Sequence, residues 1–407
     1  MRFFKTSSST ASRLTIWLVS VSFVLFQFFL QLSSGVIIYS IMTEMKLSAL
    51  ITGLLSSSFY YVYTSMQIPV GILFDNKSTR HLLTKSAILC GIGCFLFAES
   101  HTVTQLIVTR LIIGTGSSFA FIGVSQVLRQ HYPIKQFTFM IGLSETLGFL
   151  ITMLGMISLG NLVSLWGWRV FMQGAGFVGF IIAASCWIFI PNRGAATRAT
   201  ERSTLQNLLL IIANPIAWIN GLFVALGFTI ITVFAAMWAV PFLQLKLLCN
   251  LKMASKLDAM LFLGAALSCP LLGYLSGTLQ KRKPLLIASS LITALLLLIL
   301  IYSPMHSIMG SALLLFLIGL CCGGYMVAYS VANELAPIDA QSTATGFTNT
   351  LATLSPLIQP LIGAFIDKLD AITPNASLQH YQHALTIIPL GLVLAGILAL
   401  FLPEKHG

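Results

Sequence analysis

The sequence predicts an all-α membrane protein of twelve transmembrane helices arranged as two pseudo-symmetric six-helix bundles. Three observations predict it. The 407 residues are 57% hydrophobic and only 8% charged, whereas a soluble domain carries about a quarter charged residues. Twelve apolar stretches follow one another, each close to or above the roughly 20 residues that cross a bilayer core. A polar segment divides those stretches six and six.

The first six spans are expected at 14–42, 49–73, 82–100, 104–128, 137–160 and 168–190. The second six are expected at 215–243, 257–279, 284–303, 308–332, 342–366 and 382–402. Backbone groups in lipid must find partners within their own segment, so each span reads as a helix. The alternating pattern of a membrane barrel is absent. Span one far exceeds the apolar core of a signal peptide, and no small-residue cleavage site closes it.

The domains follow: residues 1–190 form an N-terminal bundle, 191–207 a cytoplasmic linker and 208–407 a C-terminal bundle. The linker stretch PNRGAATRATERSTLQ suits a flexible or partly helical connection. The halves repeat weakly. GILFDNKSTRHLL (71–83) aligns with GYLSGTLQKRKPL (273–285), setting Arg80 against Arg282 and Asp75 against Gly277. GLSETLGFL (142–150) aligns with GFTNTLATL (346–354), setting Glu145 against Asn349. Parallel repeats related by an axis along the membrane normal are one architecture of secondary transporters.

A net charge of +11 invites a nucleic-acid reading, but its placement argues against one. Of the 22 lysines and arginines, Lys46, Arg169, Lys246, Lys252, Lys256 and Lys368 fall on one side, and Arg110 lies inside a span. All the others fall on the side that holds both termini, which the positive-inside rule makes cytoplasmic. These cations set topology and meet anionic lipid heads. The arrangement fits a bacterial inner membrane.

The seven cysteines fall within spans, Cys249 excepted, and read as small packing residues rather than disulfides or metal ligands. No metal and no cofactor are expected. No GxxxxGK[ST] loop exists, so an ATPase is not expected. No HExxH, Ser-His-Asp arrangement or paired catalytic carboxylates mark an enzyme.

Three further motifs name a family. The connection after span two reads Gly71-Ile-Leu-Phe-Asp75-Asn-Lys-Ser-Thr-Arg80, span four carries Arg110 with Gly114 four residues on, and Gly167-Trp168-Arg169 precedes span six. In this order, within six-plus-six spans, the chain resembles the major facilitator superfamily over nearly its whole length. SFYYVYTSMQIPVGILFD (58–75) is similar to a bacterial branch akin to the animal lysosomal dipeptide carriers, and organic-anion carriers share much of its look. That branch often has an Arg in span one, where this chain has Gln31. The resemblance implies a secondary active transporter working by alternating access, usually monomeric. It also implies a cytoplasmic gate at Gly71, Asp75 and Arg80, with Asp75 accepting from a helix start and Arg80 pairing with a nearby acid.

Charge inside a membrane is expensive and marks function by default. Arg110 is expected to hold a substrate carboxylate with its planar fork. Glu145 is the expected proton-coupling carboxyl, because burial favours a carboxyl's neutral form. The alternative for both is a static Arg110–Glu145 pair. Gln27 and Gln31 share a face of span one. Tyr60, Tyr63 and Gln67 add a polar-aromatic wall from span two. Asn220, Tyr325, Tyr329 and Asn349 are the matching polar residues of the second half. Such residues serve either as a binding cavity or as glue between helices.

The expected cargo is a small polar or anionic metabolite, a dipeptide or an organic acid, moved by symport with protons. Efflux of an amphipathic drug or siderophore is the first alternative. A non-transporting membrane receptor is the alternative from another class.

Overall fold

The structure is a computed structural model that describes residues 10–46, 49–192, 204–279, 281–304, 307–372 and 377–404. Among the described residues the regular structure is entirely helical. The first six helices are α1 (Thr10–Met45), α2 (Ala49–Asn76), α3 (Thr79–Ala98), α4 (Val103–His131), α5 (Lys135–Gly155) and α6 (Leu165–Phe189). The second six are α7 (Pro215–Leu247), α8 (Leu251–Leu279), α9 (Lys283–Tyr302), α10 (Ile308–Leu335), α11 (Gln341–Ile366) and α12 (Leu378–Ala399). A short helix, Thr204–Ala213, precedes α7. Eleven of the twelve have the length and apolarity to cross a membrane. The twelfth, α2, has 28 residues and a more polar composition, with Ser57, Ser58, three tyrosines and Gln67.

The chain gathers into two compact units. One holds residues 1–137 and 154–202, and the other holds 138–153 and 203–407. Most of α5, including Glu145, therefore packs with the second half of the chain.

In the first unit, α4 begins with a capping box. The Gln105 amide nitrogen donates to Thr102 Oγ1 at 3.2 Å, and the Thr102 nitrogen donates to Gln105 Oε1 at 3.1 Å. Gly114 lets α4 approach α2 closely, because a Cβ there would sit 2.9 Å from the Phe59 carbonyl oxygen. Gly167, two residues into α6, has φ +77° and breaks the helical run Ile134–Phe189, a conformation that glycine adopts without steric penalty. Beyond it, Trp168 Nε1 donates to Glu44 at 2.6 Å and Arg169 to the same carboxylate at 2.5 Å. Arg169 also lies 4.2 Å over the Trp168 ring. The end of α1 is thereby pinned to the start of α6. Phe177, Ile181, Trp187 and Ile188 stay exposed on α6, an apolar face that lipid covers at little cost.

In the second unit, α7 is π-helical over Ile230–Trp238, and α11 is interrupted by a 3-10 turn at Ser355–Leu357. The two irregularities meet. Thr232 and Ser355 share a hydroxyl hydrogen bond at 2.8 Å, and Gln359 Nε2 donates to the Thr232 carbonyl at 2.5 Å. A widened turn leaves carbonyls without their helical donors, and Gln359 satisfies one of them. Arg282, the repeat partner of Arg80, forks onto Glu334 at 2.5 and 2.8 Å.

Candidate functional site

In the first unit, a line of polar side chains runs from α1 to α2. Gln27 Nε2 donates to Gln31 Oε1 at 2.7 Å, and Gln31 Nε2 donates to the Tyr60 hydroxyl at 3.2 Å. The i, i+4 spacing of the glutamines makes the first bond, and the crossing of α1 with α2 makes the second. Arg110 reaches this line from α4. Its guanidinium is 3% exposed, donates to the Leu30 carbonyl at 3.4 Å and lies 5.2 Å over the Phe59 ring. The Tyr63 ring stacks with Phe59, their centroids 5.6 Å apart. Arg110, Gln27, Gln31, Tyr60 and Tyr63 thus form one cluster around Phe59 and Leu30. Gln67 lies a turn further and donates to the Tyr63 carbonyl of its own helix at 3.0 Å. Tyr61 points outward and is exposed.

A buried guanidinium flanked by amides and a phenol offers a planar set of donors to an anion. The amides add donors that need no counter-charge, and the Phe59 ring favours the cation electrostatically. Oxyanions of carboxylate or sulfonate type match the fork geometry.

In the second unit, the Tyr329 hydroxyl donates to Asn349 Oδ1 at 2.7 Å, joining α10 to α11. Asn333 Nδ2 donates to the Tyr329 carbonyl at 2.9 Å. Asn220 Nδ2 donates to the Ala328 carbonyl at 3.1 Å, and its buried Oδ1 has no hydrogen-bond partner among the described residues. The Tyr325 ring packs 5.0 Å from Phe228, and its hydroxyl lies 3.8 Å from the Cys269 sulfur. Glu145 on α5 is 4% exposed. It acts electrostatically on Cys269 and Tyr325. It makes no hydrogen bond or ion pair among the described residues, so a static ion pair does not account for it.

At the turn after α2, Arg80 donates its Nε to the Ile190 carbonyl and lies 5.7 Å over the Trp187 ring. It caps the end of α6, whereas the sequence led to the expectation that it pairs with a nearby acid. Asp75 acts electrostatically on Arg129 of α4. Arg129 is further held by Gln126 at 2.8 Å and Ser125 at 3.0 Å. Gly71 is buried in α2.

Two buried charges escaped the sequence reading. Asp258 is 1% exposed within α8, and Lys246 is 3% exposed within α7, donating to the Leu300 carbonyl. Lys246 falls between the expected spans 215–243 and 257–279, and Asp258 is the second residue of the latter. The signal that locates Asp258 is its i, i+4 relation to Phe262, which continues to Ala266 on the same helix face.

The sequence profile of the Major Facilitator Superfamily matches residues 19–360. The chain belongs to that superfamily, and it is a membrane transporter rather than an enzyme. It is 25% identical over 151 residues to the probable galactarate/D-glucarate transporter GarP of Escherichia coli K12, covering 36% of this chain and 34% of that one. It is 28% identical over 137 residues to the probable anion transporter 5 of Arabidopsis thaliana, covering 33% and 32%. It is 27% identical over 103 residues to the probable sulfoacetate transporter SauU of Cupriavidus necator, covering 25% and 24%. The aligned stretch thus spans only a third or less of the length of each of these relatives. Among solved structures, a bacterial homologue of the human lysosomal transporter Spinster superposes with a TM-score of 0.63 at 17% identity, covering 96% of this chain and 97% of that one. That likeness speaks to the fold.

Proposed function

We propose that this transporter carries a small organic anion by alternating access, coupled to protons. The observation that carries the reading is the buried Arg110 guanidinium set among Gln27, Gln31 and Tyr60. Burying a cation in a span is costly unless it serves a ligand or an ion path. The relatives named for galactarate, glucarate, sulfoacetate and anions support an organic anion over a neutral cargo. Gln31 and Tyr60 would share the anion's oxygens, and Asn220, Tyr325, Tyr329 and Asn349 are the candidate polar residues within the second unit. Glu145 would take up the proton. Gly71, Asp75 and Arg80 would form the cytoplasmic gate, with Asp75 and Arg129 in one charge cluster. Both termini would lie in the cytoplasm of a bacterial inner membrane, and the transporter would act as a monomer.

The test is uptake into proteoliposomes of purified protein. Labelled D-glucarate, sulfoacetate and a dipeptide pool are supplied with and without an inward proton gradient. Gradient-stimulated accumulation of an anionic probe is expected. Accumulation of the dipeptide pool alone would sink the organic-anion reading. Equal uptake with and without the gradient would sink proton coupling.

A further inference from the structure

The residues of α5 that belong to the second unit lie along one face of α8. A Cβ on Gly142 would sit 2.6 Å from the Cys269 carbonyl oxygen. Thr146 Oγ1 donates to the Ala266 carbonyl at 2.5 Å. Phe149 and Phe262 pack with ring centroids 6.2 Å apart. The α8 positions 262, 266 and 269 are one stripe of a helix, and the next position of that stripe is 258. Asp258 therefore extends the seam that Glu145 enters, about 12 Å along α8 from Ala266.

Asp258 is buried to the degree of the apolar core, at 1% exposure. Its Oδ1 is enclosed without a donor, and the side chain makes no hydrogen bond or ion pair among the described residues. A carboxylate kept for structure is held by a cation or by several donors, because an isolated buried charge is strongly disfavoured. The groups around it do not supply that hold. On α7, Lys246 donates to the Leu300 carbonyl. On α8 itself, Lys252 and Lys256 are exposed. On the stretch of α5 that belongs to this unit, residues 138–153, the titratable group is Glu145. On α10, Cys321 and Cys322 come just before Gly323, whose nitrogen receives Ser268 Oγ as acceptor at 2.9 Å, and Tyr325, Tyr329 and Glu334 lie beyond it. Ser268 is roughly 15 Å along α8 from Asp258.

We infer that Asp258 is a second proton-binding carboxyl of this transporter, placed on the same α5–α8 seam as Glu145. The inference rests on the proton-coupling reading given above. In the closed seam Asp258 carries its proton as a neutral acid. When the seam opens to water, the O–H bond breaks, the proton leaves to water and the carboxylate is hydrated. Closure requires that a proton be regained. No other reactant is needed.

Infrared difference spectroscopy on the purified full chain in lipid, stepped in pH, reads this directly and without any substrate. Wild type is expected to show a protonated-carboxyl band that Asp258→Asn removes in part and Asp258→Glu restores at a shifted frequency. Glu145→Gln should remove a different component. An Asp258→Asn spectrum identical to wild type would overturn the inference, whether or not the protein transports. In proteoliposomes with D-glucarate as the probe, Asp258→Asn should cut gradient-driven accumulation about tenfold or more while leaving probe exchange intact. Unchanged driven accumulation would overturn the coupling role. If wild type fails to move glucarate, the transport reading fails by itself, and the infrared bands still decide Asp258. Asp258→Glu, which keeps the carboxyl, separates loss of the proton site from loss of the fold.

Discussion

The Trp168 indole nitrogen donates to the Glu44 carboxylate at 2.6 Å, and Arg169 binds the other oxygen of the same group. Glu44 lies beyond the spanning part of α1, and this charge cluster fastens the end of α1 to the start of α6. The Trp168 hydrogen bond, and then that of Arg169, hold the Glu44 carboxyl below its ordinary value. A lowered folded value stabilises the fold above the ordinary carboxylate range, and this contribution is lost as pH falls through the lowered value. Glu44→Gln should therefore melt at a lower temperature than wild type near neutral pH, with the gap closing in acid. The effect should be small because the pair is partly exposed. Melting curves of both proteins in detergent across the acid range check it, and a gap that widens in acid would contradict it.

Arg110→Lys keeps the charge and loses the fork. A charge-assisted hydrogen bond contributes about 1.5–3 kcal/mol, so affinity for an anionic probe should fall on the order of tenfold to a hundredfold. Arg110→Ala should abolish uptake. Concentration-dependent uptake measures both, and an Arg110→Ala protein that transports normally would remove Arg110 from the substrate site.

Glu145→Gln removes the titrating group and preserves the shape of the side chain. Net accumulation should stop responding to the proton gradient, while exchange of probe across the membrane continues. Parallel uptake and counterflow assays distinguish the two. An unchanged pH dependence would show that Glu145 does not carry the proton.

Gly114→Ala should impair transport without touching any polar group. The added Cβ would press on the Phe59 carbonyl at 2.9 Å, pushing α2 from α4 and moving the ring that lies against Arg110. Overpacking of this kind costs about 1–3 kcal/mol, visible as a lower melting temperature. Full stability with lost uptake would point instead to a direct effect on the site.

Tyr329→Phe removes the 2.7 Å bond to Asn349. Interhelical hydrogen bonds in membranes contribute about 0.6 kcal/mol on average, at most about 1.7. The variant should fold with a slightly reduced melting temperature. If the second unit contributes to substrate binding, it should also show a raised KM with kcat preserved.

The helical architecture was legible because hydrophobic length alone sets it. The described helices cover the expected spans, and Arg110 and Glu145 stood out as charges in apolar runs. The ends were harder. The eighth span was placed to begin at residue 257, yet α8 begins at Leu251. That offset of six residues made Asp258 look like an edge charge when it is buried well inside the helix. Lys246 falls past the expected end of span seven at residue 243, whereas α7 runs to Leu247, and its long side chain brings the ammonium to the Leu300 carbonyl. Arg80 was legible as a charge at the end of a span, but its partner, a carbonyl 110 positions away, leaves no trace in local sequence. The break in α11 had a visible cause in Pro356 and Pro360. The π-helical stretch of α7 had none, because Ile230–Trp238 contains no residue that forbids an ordinary helix.

That stretch has a consequence for how the chain tolerates change. A π-helical turn takes up more residues than an α-helical one, so it acts as an insertion absorbed inside a continuous rod. Removing a single residue between Ile230 and Trp238 returns that part of α7 to ordinary winding, and because the π turn had absorbed one residue, the helix beyond keeps nearly its present facing. Phe242 and Leu243 would stay buried, and the Thr232 carbonyl would no longer need Gln359. The length of α7 and the side chain at position 359 are therefore coupled, and a homologue shortened by one residue in this segment should be free to place an apolar residue where Gln359 stands.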